Sequence, residues 1–265
     1  MQQQDARERL KGIQCFLLDM DGTFYLGNQI LEGSLAFLDK VQSTGRQAVF
    51  LTNNSSKSAD VYVDKLRRMG VRDPFLRVLT SGQATAQYAL KAFPGKAAFV
   101  LGTEPLRREL QSAGIAVDAQ APDYVIIGYD TTLDYAKMTR VCDLVRAGLP
   151  YIATHPDFNC PTEDGFAPDI GAIIAFIEAS AGRRPDVIIG KPYRGIMEEA
   201  MRVTELQPGQ LAMVGDRLYT DIAMVRHGML GILVLTGEAK EADIASSPDQ
   251  PDLVFNRLSD LIDYL

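Results

Sequence analysis

The sequence predicts an α/β protein built on a mostly parallel sheet. Short apolar or β-branched runs alternate with amphipathic stretches along the chain. Several of those runs stop abruptly in polar residues, the place where open α/β sheets bind ligands. The composition, 46% hydrophobic and 23% charged over 265 residues, is that of a globular chain long enough for one large domain or two ordinary ones.

Strands are expected at 13–18, 47–51, 76–79, 97–101, 124–128, 150–153, 187–189, 211–214 and 230–235. The first of them, ending Cys15-Phe16-Leu17-Leu18, is nearly all apolar, as a strand buried on both faces requires. Helices are expected at 34–43, 58–69, 82–92, 104–113, 134–146, 171–181, 193–203 and 219–227. Within 58–69, Tyr62, Leu66 and Met69 recur at helical spacing and should face the core. So many strands in one open sheet would be unusual, so two sheets and two subdomains are expected. Ser81-Gly82 and Gly190-Lys191-Pro192 carry the turn chemistry of hinges.

Composition also excludes function classes. A net charge of −7 argues against a nucleic-acid backbone as partner. No apolar run is long enough to span a bilayer, no basic block suggests a membrane surface, and residues Met1 to Lys11 lack a secretory core. Cys15, Cys142 and Cys160 are few and widely spaced, which fits a reducing cytoplasm. Cys15, inside the first strand, is expected to be inert core. With only His155 and His227, a histidine-rich zinc site is disfavoured.

Four clusters share one format, an apolar strand followed by polar residues at its carboxyl end. They are Asp19-Met20-Asp21-Gly22-Thr23, Thr52-Asn53-Asn54-Ser55, Gly190-Lys191-Pro192, and Gly215-Asp216-Arg217 with Asp221 nearby. Two buried acids at a strand end are costly unless a divalent metal or hydrogen bonds offset them. Each of the other three also has a plain reading, as a helix cap, a helix start or a turn. Together they supply carboxylates, hydroxyl and amide donors and one cation, the kit for a Mg²⁺-assisted reaction on a phosphate.

In this order the clusters resemble the four signature motifs of the haloacid dehalogenase (HAD) superfamily. The strings Leu-Asp-Met-Asp-Gly-Thr, Thr-Asn-Asn-Ser and Val-Gly-Asp-Arg-Leu-Tyr-Thr-Asp are similar to those of its NagD-like, para-nitrophenyl phosphatase subfamily. The resemblance implies a Rossmann-like core with an inserted α/β cap domain: core at 1–81 and 187–265, cap at 82–186. It implies a hairpin flap after Gly22, around the Gly27-Asn28 turn. It implies hydrolysis of small-molecule phosphate monoesters through an aspartyl-phosphate. Asp19 is then the nucleophile and Asp21 the general acid and base. Mg²⁺ is held by Asp19, the Asp21 carbonyl and Asp216, with Asp221 behind them. Thr52, Asn53 and Asn54 bind the phosphoryl oxygens, and Lys191 neutralises their charge and steadies Asp19.

Substrate choice is expected in the polar, turn-rich stretch Thr154 to Gly171, with His155, Asp157 and Asn159 as candidates and Glu163 and Asp164 beside them. A plain surface loop is the competing reading of that stretch. A phosphotransferase or mutase using the same intermediate is the alternative activity, decided by how well water is excluded. A non-catalytic phosphate-binding module is the third possibility, and the presence of Asp19, Asp21, Lys191 and Asp216 speaks against it. The expected partner is a small phosphate ester, with the chain a monomer or a cap-mediated homodimer.

Overall fold

The computed structural model describes residues 2–117, 119–162 and 165–265. In chain order the strands are β1 Cys15–Leu18, β2 Tyr25–Leu26, β3 Gln29–Ile30, β4 Gln47–Thr52, β5 Val78–Thr80, β6 Ala97–Leu101, β7 Ala116–Val117 and β8 Tyr124–Ile127. They continue with β9 Tyr151–Ala153, β10 Asn159–Thr162, β11 Gly165–Pro168, β12 Val187–Ile188, β13 Leu211–Gly215, β14 Leu230–Val234 and β15 Leu253–Phe255. The fold is α/β, as the sequence predicts. Among the described residues the strands form a six-stranded sheet, β15-β14-β13-β1-β4-β5, and a five-stranded sheet, β12-β9-β8-β6-β7. Two hairpins, β2-β3 and β10-β11, complete them.

The chain falls into two compact units. The first comprises Met1–Leu51, Val63–Leu79 and Met197–Leu265; the second comprises Thr52–Tyr62 and Thr80–Ile196.

In the first unit, β1 is central and runs parallel to both neighbours, with Leu18 level with Val214 on β13 and with Phe50 on β4. All four β1 side chains are buried, which is why this strand reads as one apolar run rather than an alternation. The strand order reverses at β1: β4 lies on one side and β13 on the other. That reversal opens a crevice at the carboxyl ends of β1 and β13, the switch point of a doubly wound sheet. Phe16 packs edge-on against Phe37 of the helix Ser34–Ser43, with ring centroids 5.4 Å apart. Phe24 and Phe50 meet the same way at 4.8 Å.

The second unit has its own core. Val125, Ile127, Tyr151 and Ala153 of its sheet pack with Val141 and Val145 of the helix Tyr135–Arg146 and with Ile170, Ile173, Ile174 and Ile177 of the helix Ile170–Ala181. Asp169 caps the latter helix, accepting the Ile170 N–H at 2.6 Å.

Several elements depart from the expected set. The polar opening segment is a helix, Gln2–Leu10, which buries Ala6 and Leu10. The helix expected at 219–227 is a 3₁₀ segment, Ile222–His227. Met69 is partly rather than fully buried. Arg183 donates to the carbonyls of Val145 and Leu149. The long loop after Thr154 contains the β10-β11 hairpin, although each strand carries a proline, Pro161 and Pro168. A two-stranded ribbon has only edge strands, so a missing N–H is tolerated there. Glu163 and Asp164 lie outside the described residues.

Truncating Phe16 to alanine should remove a fully buried ring from β1, the strand that delivers Asp19. Urea unfolding of Phe16→Ala is expected to show a loss of about 3–5 kcal/mol; a loss below about 1 kcal/mol would contradict the packing described.

Candidate active site

The chain makes a tight turn immediately after β1. The Met20 carbonyl accepts the N–H groups of Phe24 at 2.9 Å and Tyr25 at 3.1 Å, and the Gly22 N–H donates to the Tyr25 carbonyl at 2.8 Å. Gly22 has φ +86°, and a Cβ there would lie 2.5 Å from Asp216 Oδ2. Glycine is required on both counts. The turn leaves Asp19 partly buried and Asp21 exposed, ahead of the β2-β3 hairpin.

β13 ends beside β1 and delivers the second set of acids. One carboxylate oxygen each from Asp19, Asp216 and Asp221 lies within 4.8 Å of the others. Asp216 Oδ2 accepts the Glu238 N–H at 2.7 Å, and the Thr23 hydroxyl lies 3.5 Å from Oδ1. Asp221 Oδ2 accepts the Arg217 N–H at 3.1 Å. A Cβ at Gly215 would collide with Asp221, and one at Gly237 with Asp216. Close backbone approach from three glycines therefore shapes the cluster. Arg217 lies alongside, with its Nε 3.0 Å from Glu238 Oε2. Burial opposes its charge, but the carboxylates of Asp19, Asp216 and Asp221, with Tyr219, outweigh burial and raise the guanidinium above the ordinary arginine range.

Three acids so close repel one another. An all-oxygen donor set of this density suits a hard divalent cation. The residues present therefore fit a divalent cation, to which Asp19, Asp216 and Asp221 could each offer one carboxylate oxygen.

The second unit carries the other motif residues. Thr52, Asn53 and Lys191 are buried and Asn54 is partly so. Thr52 Oγ1 accepts the Asn54 N–H at 3.1 Å, and Asn54 Oδ1 accepts both the N–H and the hydroxyl of Ser56. The Asn53 amide clamps the backbone of Lys191: its Oδ1 accepts the Lys191 N–H at 2.7 Å and its Nδ2 donates to the Lys191 carbonyl at 2.9 Å. The same Nδ2 donates to the Asp157 carboxylate at 3.1 and 3.3 Å. Ser81 donates to the Asn53 carbonyl, Thr103 to that of Ser56, and Ser55 shares a hydrogen bond with Thr154. Glu109 accepts the Ala59 N–H and the Thr80 hydroxyl. Burial pushes its carboxyl pKa up, and those hydrogen bonds only partly counter it.

The structure thus brings Asp19, Asp216 and Asp221 together in one unit, and Thr52, Asn53, Asn54 and Lys191 in the other. His155 and Asp157 are buried and join the Asn53 network, whereas Asn159 is exposed on β10. Sequence reasoning passed over the Thr236-Gly237-Glu238 turn, which holds Asp216 and donates from Thr236 to the Gly22 carbonyl at 2.6 Å. Its signal was available: it follows an apolar strand just as the four motifs do. It also passed over Ser81, Thr103 and Asp169 as polar supports, for which no spacing rule exists. Cys15 is buried core, its thiol pushed up to about 12 by burial, with Arg77 pulling the other way. That is the mark of an unreactive cysteine.

This is the fold and acid cluster of a hydrolase of the haloacid dehalogenase type, and the comparisons agree. Residues 16–116 match the haloacid dehalogenase-like hydrolase family, and residues 188–261 match a HAD-hydrolase-like family. The chain is 35% identical to an acid sugar phosphatase of Staphylococcus aureus, over 96% of this chain and 98% of that one. It is similar to the crystal structure of a 4-nitrophenylphosphatase from Thermotoga maritima, with a TM-score of 0.93 and 45% identity, covering 96% of this chain and 98% of that one. It also resembles a glycerol phosphate phosphatase of Mycobacterium tuberculosis in complex with magnesium, with a TM-score of 0.86 and 30% identity, covering 94% of this chain and 77% of that one. The chain belongs to the haloacid dehalogenase-like hydrolases, with NagD among its structural relatives. No helix among the described residues is long and apolar enough to cross a membrane.

Gly22→Ala should displace the Asp216 carboxylate. The variant is expected to need roughly tenfold more divalent cation for half-maximal activity. A metal titration unchanged from wild type would show that Asp216 has room to move without consequence.

Proposed function

We propose that this protein is a Mg²⁺-dependent phosphatase that hydrolyses small-molecule phosphate monoesters through an aspartyl-phosphate on Asp19. The observation that carries this reading is the convergence of the Asp19, Asp216 and Asp221 carboxylates at the ends of β1 and the segment after β13. The relatives' names, an acid sugar phosphatase, a 4-nitrophenylphosphatase and a glycerol phosphate phosphatase, support a small phosphate ester as substrate.

In this reading residues 82–186 form the cap of the enzyme. Mg²⁺, when bound, offsets the repulsion between the acids and an incoming phosphate anion. Asp19 attacks phosphorus in line, and the P–O bond to the leaving group breaks. Asp21 gives its proton to the departing alkoxide, then takes a proton from the water that hydrolyses the acyl phosphate. That second step returns Asp19 as a carboxylate and releases inorganic phosphate. The exposure of Asp21 suits a group that must exchange protons between two steps. Thr52, Asn53 and Asn54 bind the phosphoryl oxygens, Asn53 through its backbone N–H because its side-chain amide is committed to Asp157 and Lys191, and Lys191 supplies the positive charge that grows more favourable toward the transition state. Buried placement makes that charge more effective than it would be in water. The exposed Asn159, on a hairpin in the 154–171 stretch, is the candidate for reading the rest of the substrate.

Phosphate release from a panel of sugar, polyol and nucleoside monophosphates and 4-nitrophenyl phosphate tests the proposal. Turnover should require Mg²⁺, vanish with chelator, and fall roughly 10⁴-fold or more in Asp19→Asn. Turnover of Asp19→Asn near the wild-type rate would remove Asp19 from the chemistry.

A further inference from the structure

His155 is wholly buried, yet it is polar at both ends. Its Nδ1 lies 3.6 Å from Asp157 Oδ2, and its Nε2 lies 3.6 Å from Asp169 Oδ1. Among the described residues Nε2 has no hydrogen-bond partner, so the Asp169 contact is one of charge rather than of a formed hydrogen bond. The ring is therefore wedged between two acids on different segments: Asp157 in the loop after β9, and Asp169 at the cap of the helix Ile170–Ala181. Lys191 also acts on it, from the strand end after β12, and opposes its protonation.

The position of Asp157 matters because of what it faces. A carboxylate only accepts hydrogen bonds, so it dictates that the nitrogen end of the Asn53 amide points toward it. That orientation presents Nδ2 to the Lys191 carbonyl and Oδ1 to the Lys191 N–H, and a flipped amide would lose all three contacts. Gly190 permits the close approach: a Cβ there would lie 2.5 Å from Asn53 Oδ1 and 2.8 Å from the His155 Cβ.

We propose that His155 is a positioning residue: held between Asp157 and Asp169, it keeps the Asp157 carboxylate on the Asn53 amide and so fixes the backbone that carries Lys191. The inference rests on the phosphatase reading for its catalytic consequence, but not for its physical content. Burial lowers the tendency of the ring to protonate, yet the Asp157 and Asp169 carboxylates outweigh it, against an opposing effect of Lys191, and the imidazole pKa is raised above 6.5. The Asp157 N–H, 3.4 Å from Nδ1, would suit a neutral ring, but that contact is long, and two flanking carboxylates favour the charged form. The sign follows. The supporting form is present below the raised pKa and is lost as pH rises through it, so activity gains an alkaline limb above pH 6.5.

Three variants, His155→Leu, Asp157→Asn and the pair together, test this, with kcat and KM for 4-nitrophenyl phosphate measured across pH in saturating Mg²⁺. His155→Leu should lower kcat/KM roughly 10- to 100-fold and abolish the alkaline limb. Asp157→Asn should move that limb to lower pH, and the double variant should lose far less than the product of the two single losses. The imidazole titration, followed by NMR, is a readout independent of turnover, and the chain has only one other histidine, His227. It should place His155 above 6.5 in the wild type and lower in Asp157→Asn, a result obtainable even if His155→Leu fails to fold. A His155 that titrates below 6.5, or a folded His155→Leu with wild-type kcat/KM and pH profile, would overturn the proposal. A wild-type protein that hydrolyses no ester would count against the phosphatase reading, while the titration would still decide the placement of His155.

Discussion

Three like charges held at the end of one strand pair constrain much of the first unit. Two unit charges 4 Å apart repel by about 4 kcal/mol at the effective dielectric of a protein surface. Asp19, Asp216 and Asp221 bring three carboxylate oxygens within 4.8 Å of one another. Local features of this unit serve that arrangement. Gly22, Gly215 and Gly237 let the backbone close in where any side chain would displace an acid. The Glu238 and Arg217 N–H groups hold Asp216 and Asp221, and the Arg217 guanidinium supplies positive charge from one side. The buried run of β1 and the all-buried β13 give a rigid base, so the acids cannot relax apart by moving the strands. Repulsion that cannot be relieved by movement is available to bind a cation, and this is the physical core of the proposed chemistry.

The second unit shows the same principle with opposite means. Its motif residues are neutral amides, hydroxyls and one lysine, and they are held by hydrogen bonds rather than by charge crowding. Asn53 uses both its donors and its acceptor within the unit, two of these bonds going to the Lys191 backbone. A loop secured at Ser81, Thr103, Thr154 and Asp157 has few ways to shift. Preorganisation of this kind lets donors act on developing charge without first rearranging.

How much of this was legible in the sequence depended on whether a residue obeys a local rule. β1 and β13 were legible because strands buried on both faces must be apolar throughout, and each of the nine expected strands is present. The expectation of costly buried acids holds for Asp216 and Asp221 and in part for Asp19, but not for Asp21, which the turn after β1 leaves exposed. The helix Gln2–Leu10 was not, because its polar composition hides the two positions, Ala6 and Leu10, that it buries. The β10-β11 hairpin was hidden by Pro161 and Pro168, which normally argue against strands. The support around Asn53 was illegible for a deeper reason: Ser81, Asp157 and Asp169 act through contacts far apart in the chain, and no spacing encodes them. His155 and Asp157 were visible as polar residues in a long loop, but only the fold shows that they face inward.

The claim that Asp19 forms a covalent phosphoryl intermediate is best met by catching it. In the proposed mechanism Asp21→Asn removes the group that activates water, while 4-nitrophenyl phosphate has a leaving group that needs no acid. Mixed rapidly with this ester and Mg²⁺, the variant should release a burst of about one nitrophenolate per chain before slow turnover. Acid quench and peptide mass spectrometry should then find the phosphoryl group on Asp19. No burst and an unmodified Asp19, in a variant whose wild-type parent hydrolyses the ester, would contradict the covalent mechanism.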